Sequence, residues 1–191
     1  MNICVYGASS NEIPAVYLEK TEKLGEKLAK RGHDLVFGGG ANGVMGAAAR
    51  GVKKGGGKIV GVVPSFFNVD GIIYPHCDEL IRPETMRQRK QIMEDRSDAF
   101  ITAPGGIGTF EEFFEMLTLK QLGRHNKPIV LYNLNGYYDG VVSVLEQAIK
   151  EGFMREVCRE LCCVLEDADQ VLDYIENYHG KKIDILHMKN I

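Results

Sequence analysis

Pro104-Gly105-Gly106-Ile107-Gly108-Thr109-Phe110-Glu111-Glu112 is the stretch on which the reading of this chain turns. Before it runs Ala99-Phe100-Ile101-Thr102-Ala103, apolar in the manner of a buried strand, and after it Phe113-Phe114-Glu115-Met116-Leu117 opens an amphipathic helix. Three glycines therefore occupy a strand-to-helix turn. At such a turn the first backbone N–H groups have no intrahelical acceptor and the helix dipole is positive, which is a geometry that holds phosphate. Glu112 follows Thr109 by three residues, so a carboxylate stands one helical turn from any bound anion. That conflict of charge is of the kind that marks chemistry. The same spacing also fits a capping box, Thr109-x-x-Glu112, and acidic residues are ordinary complements of a helix N-terminus. Spacing alone leaves both roles of Glu112 open. The turn is neither the dinucleotide G-x-G-x-x-G nor the P-loop pattern.

Outward from this turn the chain alternates apolar strands with helices. Strands are expected at 2–6, 34–37, 58–63, 77–82, 99–103, 128–132 and 161–165. Helices are expected at 15–31, 43–55, 84–96, 109–122, 139–152 and 167–178. This order predicts an α/β protein: a Rossmann-like, doubly wound parallel sheet covered on both faces, in a single domain over 1–178 with a C-terminal tail at 179–191. Ligands on such sheets bind at the carboxyl ends of the strands. The glycine-rich turns 7–10, 38–43 and 105–108 all follow strands, so they are expected at one edge, where Ser10, Gly39 and Gly40 can line the same cleft. For the first two turns, simple tight-turn geometry is the competing explanation.

The bulk numbers bound the function. The 191 residues suffice for one domain with a real core. With 26% charged residues and a net charge of −3, the chain is poorly suited to nucleic acid or an acidic membrane surface as its main partner. Five scattered cysteines without a C-x-x-C pair argue against a disulfide framework or zinc site, and no metal is expected. The chain shows neither a signal-peptide apolar region nor an apolar span of 18 residues, so a cytoplasmic protein is expected.

Two further segments carry alternatives. Residues 64–75 form a long connection holding Phe66, Phe67, Ile72, Ile73 and Tyr74, which reads as core cover or as an apolar wall for a base with a hydrophobic substituent. Arg82-Pro83-Glu84-Thr85-Met86-Arg87-Gln88-Arg89-Lys90 carries four cations, a pattern that composition alone assigns to a solvated helix face.

Pro-Gly-Gly-x-Gly-Thr-x-x-Glu, as a whole string, resembles the signature of the Lonely Guy (LOG) family of cytokinin-activating phosphoribohydrolases, proteins often mislabelled lysine decarboxylase-like. The resemblance runs from about Asn2 to Tyr178 and includes Gly7-Ala8-Ser9-Ser10, Gly38-Gly39-Gly40, Gly43-Val44-Met45-Gly46, Arg89-Lys90, Gln121-Leu122-Gly123 and Asn135-Gly136-Tyr137-Tyr138. It implies Arg89 and Glu112 as the catalytic pair and Lys90 as a substrate ligand, while Arg87 stays a surface residue. The expected substrate contacts are then Gly105, Gly106, Ile107, Gly108, Thr109, Thr118, Gly39, Gly40 and Ser10 together with Lys90. A nucleoside 5′-monophosphate suits these parts. Its phosphate would take the N–H groups of Gly106, Gly108 and Thr109, and helical rise puts Glu112 about 4.5 Å further along the axis, toward the anomeric carbon. Glu112 would stabilise the developing ribosyl cation or activate water, and Arg89 is expected to keep it ionised. No cofactor is needed. The resemblance implies release of a free cytokinin-type purine, with AMP as an accompanying substrate, and a homodimer; Phe113, Met116 and Leu119 are candidates for an exposed contact face. A nucleotide-binding carrier or sensor would need neither Glu112 nor Arg89. A lysine decarboxylase would need pyridoxal phosphate and a Schiff-base lysine, for which no recognisable set stands out.

Overall fold

The apolar runs become strands β1 (Asn2–Tyr6), β2 (Asp34–Phe37), β3 (Ile59–Val62), β4 (Glu79–Ile81), β5 (Ala99–Thr102), β6 (Ile129–Tyr132) and β7 (Cys163–Leu165) in a computed structural model that describes residues 1–67, 71–180 and Met188. They form one sheet in the order β4-β3-β2-β1-β5-β6-β7, every pair parallel. The helices between them are α1 (Ala15–Lys30), α2 (Gly43–Gly55), α3 (Met86–Asp95), α4 (Ile107–Gln121), α5 (Asp139–Lys150) and α6 (Ala168–Glu176). This is the expected doubly wound α/β fold.

Strand alternation sorts the core into two layers. Ile3, Val5, Leu35, Phe37, Ile101 and Val130 face one side and pack with Leu24 and Leu28 of α1, Ala48 and Val52 of α2 and Leu172 of α6. Cys4, Tyr6, Val36, Phe100 and Leu131 face the other and meet Met93 of α3 and Phe113, Met116 and Leu117 of α4. Both faces being covered, the central strands read as unbroken apolar runs rather than alternating ones. Each fully buried side chain such as Phe37 or Phe100 contributes about 1.5–3 kcal/mol of transfer free energy.

The expected boundaries shift where an edge or a cap intervenes. β4 is shorter than 77–82 because it is an outer strand, with Glu79 and Leu80 exposed. β7 begins at Cys163 because Glu156–Leu161 winds into a 3-10 helix that delivers Leu161 to the core. α4 starts at Ile107 rather than 109, since Gly106 is the extended cap residue. Of the expected tail, residues 181–187 and 189–191 lie outside the described residues; Met188 is buried, its carbonyl accepting from Cys158 Sγ at 3.4 Å and Gln121 Nε2 at 3.5 Å. No helix among the described residues is long and apolar enough to cross a membrane, and none of them form a group of three or more metal-ligating side chains. The five cysteines are free thiols.

Candidate active site

The strand order reverses between β1 and β5, and the first and third glycine turns leave those two strands. Hydrogen bonds tie the three expected turns and the residues beside them together. Ala8 N–H donates to the Pro104 carbonyl at 3.0 Å, and Met45 N–H of α2 donates to the Ala8 carbonyl at 3.2 Å. Asn11 Oδ1 accepts from Gly43 N–H at 2.8 Å. One edge therefore gathers the turns, as strand direction requires.

At the third turn α4 begins with no side-chain cap. Its first intrahelical bond is Phe110 N–H to the Gly106 carbonyl at 3.0 Å, so the N–H groups of Gly106, Ile107, Gly108 and Thr109 precede the helix's own acceptors. The space around them is open: a Cβ at Gly106 or Gly108 would find no protein atom within 4 Å outside the helix's own backbone and the chain neighbours. Gly105 differs, since a Cβ there would lie 2.2 Å from Thr109 Oγ1, so this residue can only be glycine while Thr109 stays buried beneath the turn.

Glu112 faces inward and not back to its own helix start. Its Oε1 accepts from Arg89 Nη1 at 2.8 Å, the two side chains being 12% and 10% exposed. The capping-box alternative for Thr109 and Glu112 is thereby not realised. Arg89 reaches this position from the first turns of α3. Its Nε donates to the Val62 carbonyl at 3.2 Å, and its guanidinium lies over Gly38, where a Cβ would come within 2.1 Å of Nη2. The second glycine turn thus serves partly to admit an arginine. Burial pushes the Glu112 carboxyl above the usual range, and Arg89 opposes that shift without cancelling it. Arg89 thus works toward the ionised form, as expected of it, against a desolvation that is the larger effect. Beneath the pair, burial also raises the Tyr6 hydroxyl and pushes the Cys4 thiol up to about 12.

The other expected residues divide. Gly39 and Gly40 line a cavity of 360 Å³ with Ser9, Met45, Val63 and Arg89. Phe67, Ile72 and Ile73 of the 64–75 connection wall the same cavity, while residues 68–70 lie outside the described residues. That connection is pinned to the second turn by Ala41 N–H to the Ile72 carbonyl at 2.7 Å and Tyr74 N–H to the Gly39 carbonyl at 2.8 Å. A smaller hollow of 260 Å³ adjoins the first turn and is lined by Ser10, Gly105, Gly106, Tyr17 and Tyr137. Ser10 Oγ already accepts from Glu12 N–H at 3.0 Å.

Lys90 turns away to the outer face, where it binds Glu111 and, at 3.1 Å, Glu115 Oε1. Burial would depress its ammonium, but these two carboxylates outweigh it and leave the pKa raised. Thr118 is exposed and about 13.5 Å further along α4 than Thr109, so the fold does not gather it with the glycine turns. Arg87 is exposed as expected. The proposed contact face of α4 is also corrected. Phe113 and Met116 are buried against the sheet and Leu119 is half-buried; the exposed apolar residues of α4 are Ile107 and Phe114. The short strands opposite α4 draw the 113/116/117 face inward.

Spacing gave no role to Tyr137 and Tyr138, which the structure brings under the signature turn. Tyr137 Oη donates to the Gly105 carbonyl and Tyr138 Oη to the Ala103 carbonyl, each at 2.7 Å. Asn133 Oδ1 accepts from Tyr138 N–H at 2.6 Å and its Nδ2 donates to Asp139 at 2.8 Å. The detectable signal was the Asn135-Gly136 pair, both at positive φ (54° and 70°), which turns the chain so that two consecutive tyrosines follow.

A buried ion pair thus lies beside an uncapped helix N-terminus at the switch point of a doubly wound α/β sheet. The family described as "Possible lysine decarboxylase" matches residues 45–175. A cytokinin riboside 5′-monophosphate phosphoribohydrolase of Arabidopsis thaliana is 38% identical over 184 residues, 96% of this chain and 86% of the relative. A probable enzyme of the same name from Oryza sativa subsp. japonica is 40% identical over 92% of this chain and 72% of its own. The chain belongs to the LOG family. Solved structures extend the fold further. The molybdenum cofactor binding protein from Rippkaea orientalis superposes with a TM-score of 0.70 at 24% identity, covering 92% of this chain and 94% of that one. The molybdenum cofactor carrier protein from Chlamydomonas reinhardtii does so with a TM-score of 0.69 at 24% identity, covering 92% and 95%. At that identity the likeness is one of fold.

Proposed function

We propose that this protein is an N-glycosyl hydrolase that cleaves purine nucleoside 5′-monophosphates, of the cytokinin riboside type and AMP, to the free base and ribose 5-phosphate. The observation that carries the reading is the buried Arg89–Glu112 pair at 2.8 Å, one turn inside the uncapped start of α4. The phosphate takes the N–H groups of residues 106–109 and the dipole of α4. The C1′–N bond then breaks toward the base, which leaves with its electron pair and gains a proton, while a water oxygen bonds to C1′. Positive charge develops on the ribose beside Glu112, whose carboxylate stabilises it or takes the proton of the attacking water. Arg89 fixes the carboxylate through a charge-assisted bond. The apolar wall of Phe67, Ile72 and Ile73 suits a purine carrying a hydrophobic substituent.

A carrier of nucleotides or cofactors would need an open cradle but no buried acid held by an arginine. The decarboxylase reading fares worse at Lys90, which its two carboxylates hold as an ammonium, the opposite of what a Schiff-base nucleophile requires. A nucleoside monophosphate is a charged metabolite retained by membranes, so a cytoplasmic setting goes with this substrate. We also read the protein as a homodimer, with Ile107 (86% exposed) and Phe114 (38%) as the apolar residues of α4 open to a second copy. Light scattering at micromolar concentration tests this, and Phe114→Glu should shift a dimer toward monomer.

The activity is tested by chromatography of products from a panel of nucleoside monophosphates and the matching nucleosides. Free base and ribose 5-phosphate are expected from AMP and its prenylated analogues, with adenosine spared. Equal rates on AMP and adenosine would remove the phosphate cradle from the mechanism.

A further inference from the structure

Three successive carbonyls of the signature turn are each held from behind by a donor. Ala103 accepts from Tyr138 Oη at 2.7 Å, Pro104 from Ala8 N–H at 3.0 Å and Gly105 from Tyr137 Oη at 2.7 Å. A trans peptide points its N–H opposite to its C=O. Holding the Gly105 carbonyl toward Tyr137 therefore aims the Gly106 N–H away from Tyr137. That peptide joins two glycines, and no Cβ resists its rotation. Turned over, it would present a carbonyl oxygen to an anion in place of an N–H.

The three anchors are not equivalent. The Ala103 carbonyl belongs to a peptide whose nitrogen is that of Pro104, so Tyr138 aims no N–H at all, and its ring is buried in the core. The Pro104 carbonyl is tied by backbone to Ala8 in the turn that follows β1. Tyr137 is the side chain whose removal frees an anion-facing N–H. It stands at the rim of the hollow that Gly105 and Gly106 line, and Tyr17 rests edge-on against its ring at 5.9 Å.

We propose that Tyr137 is a positioning residue for the anion site: its hydroxyl locks the Gly105–Gly106 peptide so that the Gly106 N–H faces the 5′-phosphate. This rests on the reading of the α4 start as a phosphate cradle. Its ligand is the phosphate of the substrate and of the ribose 5-phosphate product, and the base is indifferent to it.

The test is calorimetric binding of ribose 5-phosphate to the full chain, which needs no turnover. Tyr137→Phe should weaken ribose 5-phosphate by about tenfold, the worth of one well-aimed bond to a charged group. The melting temperature should stay unchanged. In steady state, the same variant should raise KM for AMP more than it lowers kcat. Tyr138→Phe should do the reverse, lowering the melting temperature while leaving affinity nearly intact. Tyr17→Leu keeps the hydroxyl but removes the ring that supports it, and should reproduce part of the loss. Unchanged affinity in both Tyr137→Phe and Tyr17→Leu overturns the proposal, as does an affinity loss in Tyr137→Phe that merely tracks a drop in melting temperature. Failure of the unaltered protein to bind ribose 5-phosphate would instead overturn the phosphate cradle itself.

Discussion

Two helices of this protein open with the same sequence pattern and use it in opposite ways. α3 begins at Thr85-x-x-Gln88 and forms a complete capping box: Thr85 Oγ1 accepts from Gln88 N–H at 3.2 Å, and Gln88 Oε1 accepts from Thr85 N–H at 3.1 Å and Glu84 N–H at 3.0 Å. α4 carries Thr109-x-x-Glu112, yet Gly106 is its cap, no side chain closes it, and Glu112 leans instead on Arg89. One helix satisfies orphan donors at its own start. The other leaves its donors open and gives up its acid to Arg89. The difference separates a helix start that closes on itself from one that stays uncapped, as the proposed phosphate cradle requires.

The sharpest way to break this contrast is Glu112→Gln. Glutamine keeps an oxygen that can accept from Arg89 Nη1 but loses the charge, so a Glu112 that only braces Arg89 would leave activity largely intact. A catalytic carboxylate should cost about 10²–10³-fold in turnover with the fold unchanged. Arg89→Ala should be similarly damaging and Arg87→Ala harmless, and the Glu112 and Arg89 losses should be non-additive, because the two groups act as one unit. Steady-state rates with melting curves decide it.

Acidity sharpens the same point. Burial raises the Glu112 pKa, so if the ionised form works, activity is lost as pH falls through a value above the ~4.3 of an ordinary glutamate. Arg89 opposes the shift, so Arg89→Ala should move the acid limb of residual kcat/KM to still higher pH. A limb at the ordinary value in both proteins would mean that the acid is solvated during turnover.

The contrast also explains what could be read beforehand. The sheet, its single direction and its glycine-rich edge were legible because buried parallel strands are apolar runs and their turns need glycine. Boundaries failed at β4, β7 and the start of α4, where an edge position, a 3-10 helix and a glycine cap override local pattern. At the site, Thr109-x-x-Glu112 was ambiguous because a capping box and an acid held across the fold share one spacing, and only Arg89, 23 residues away, decides between them. The α4 face was misassigned at Phe113 and Met116 because an amphipathic stripe does not say which side meets the sheet. Lys90 was placed on the substrate by resemblance, while in this chain Glu111 and Glu115 claim it. Tyr137 could not be found by spacing, since its partner is a backbone carbonyl in another turn.

A milder perturbation converts one helix start into the other. Gly106→Ser has room for its side chain, and a serine cap would accept from Gly108 or Thr109 N–H. The helix should gain no more than a few tenths of a kcal/mol. Ribose 5-phosphate, competing with the hydroxyl for the same donors, should weaken by about tenfold. Calorimetry and melting curves on one sample read both numbers, and unchanged affinity would place the anion elsewhere.

The smallest expected effect falls on α3. Thr85→Ala removes its cap and should cost about 1 kcal/mol, or about 2–4 °C in melting temperature for a chain of this size. Turnover should hardly change, even though Arg89 sits in the turn that Thr85 closes and donates its N–H to the Thr85 carbonyl at 3.0 Å. That carbonyl survives the substitution. The guanidinium is also anchored independently, by Nε to the Val62 carbonyl and Nη1 to Glu112. Thr85→Ser should restore the melting temperature, because it keeps the hydroxyl that Gln88 N–H needs. If Thr85→Ala instead lowered kcat as far as Arg89→Ala does, the capping box would be part of the machinery that aims the arginine. The proposed division between a helix start that serves the fold and one that serves a ligand would then no longer hold.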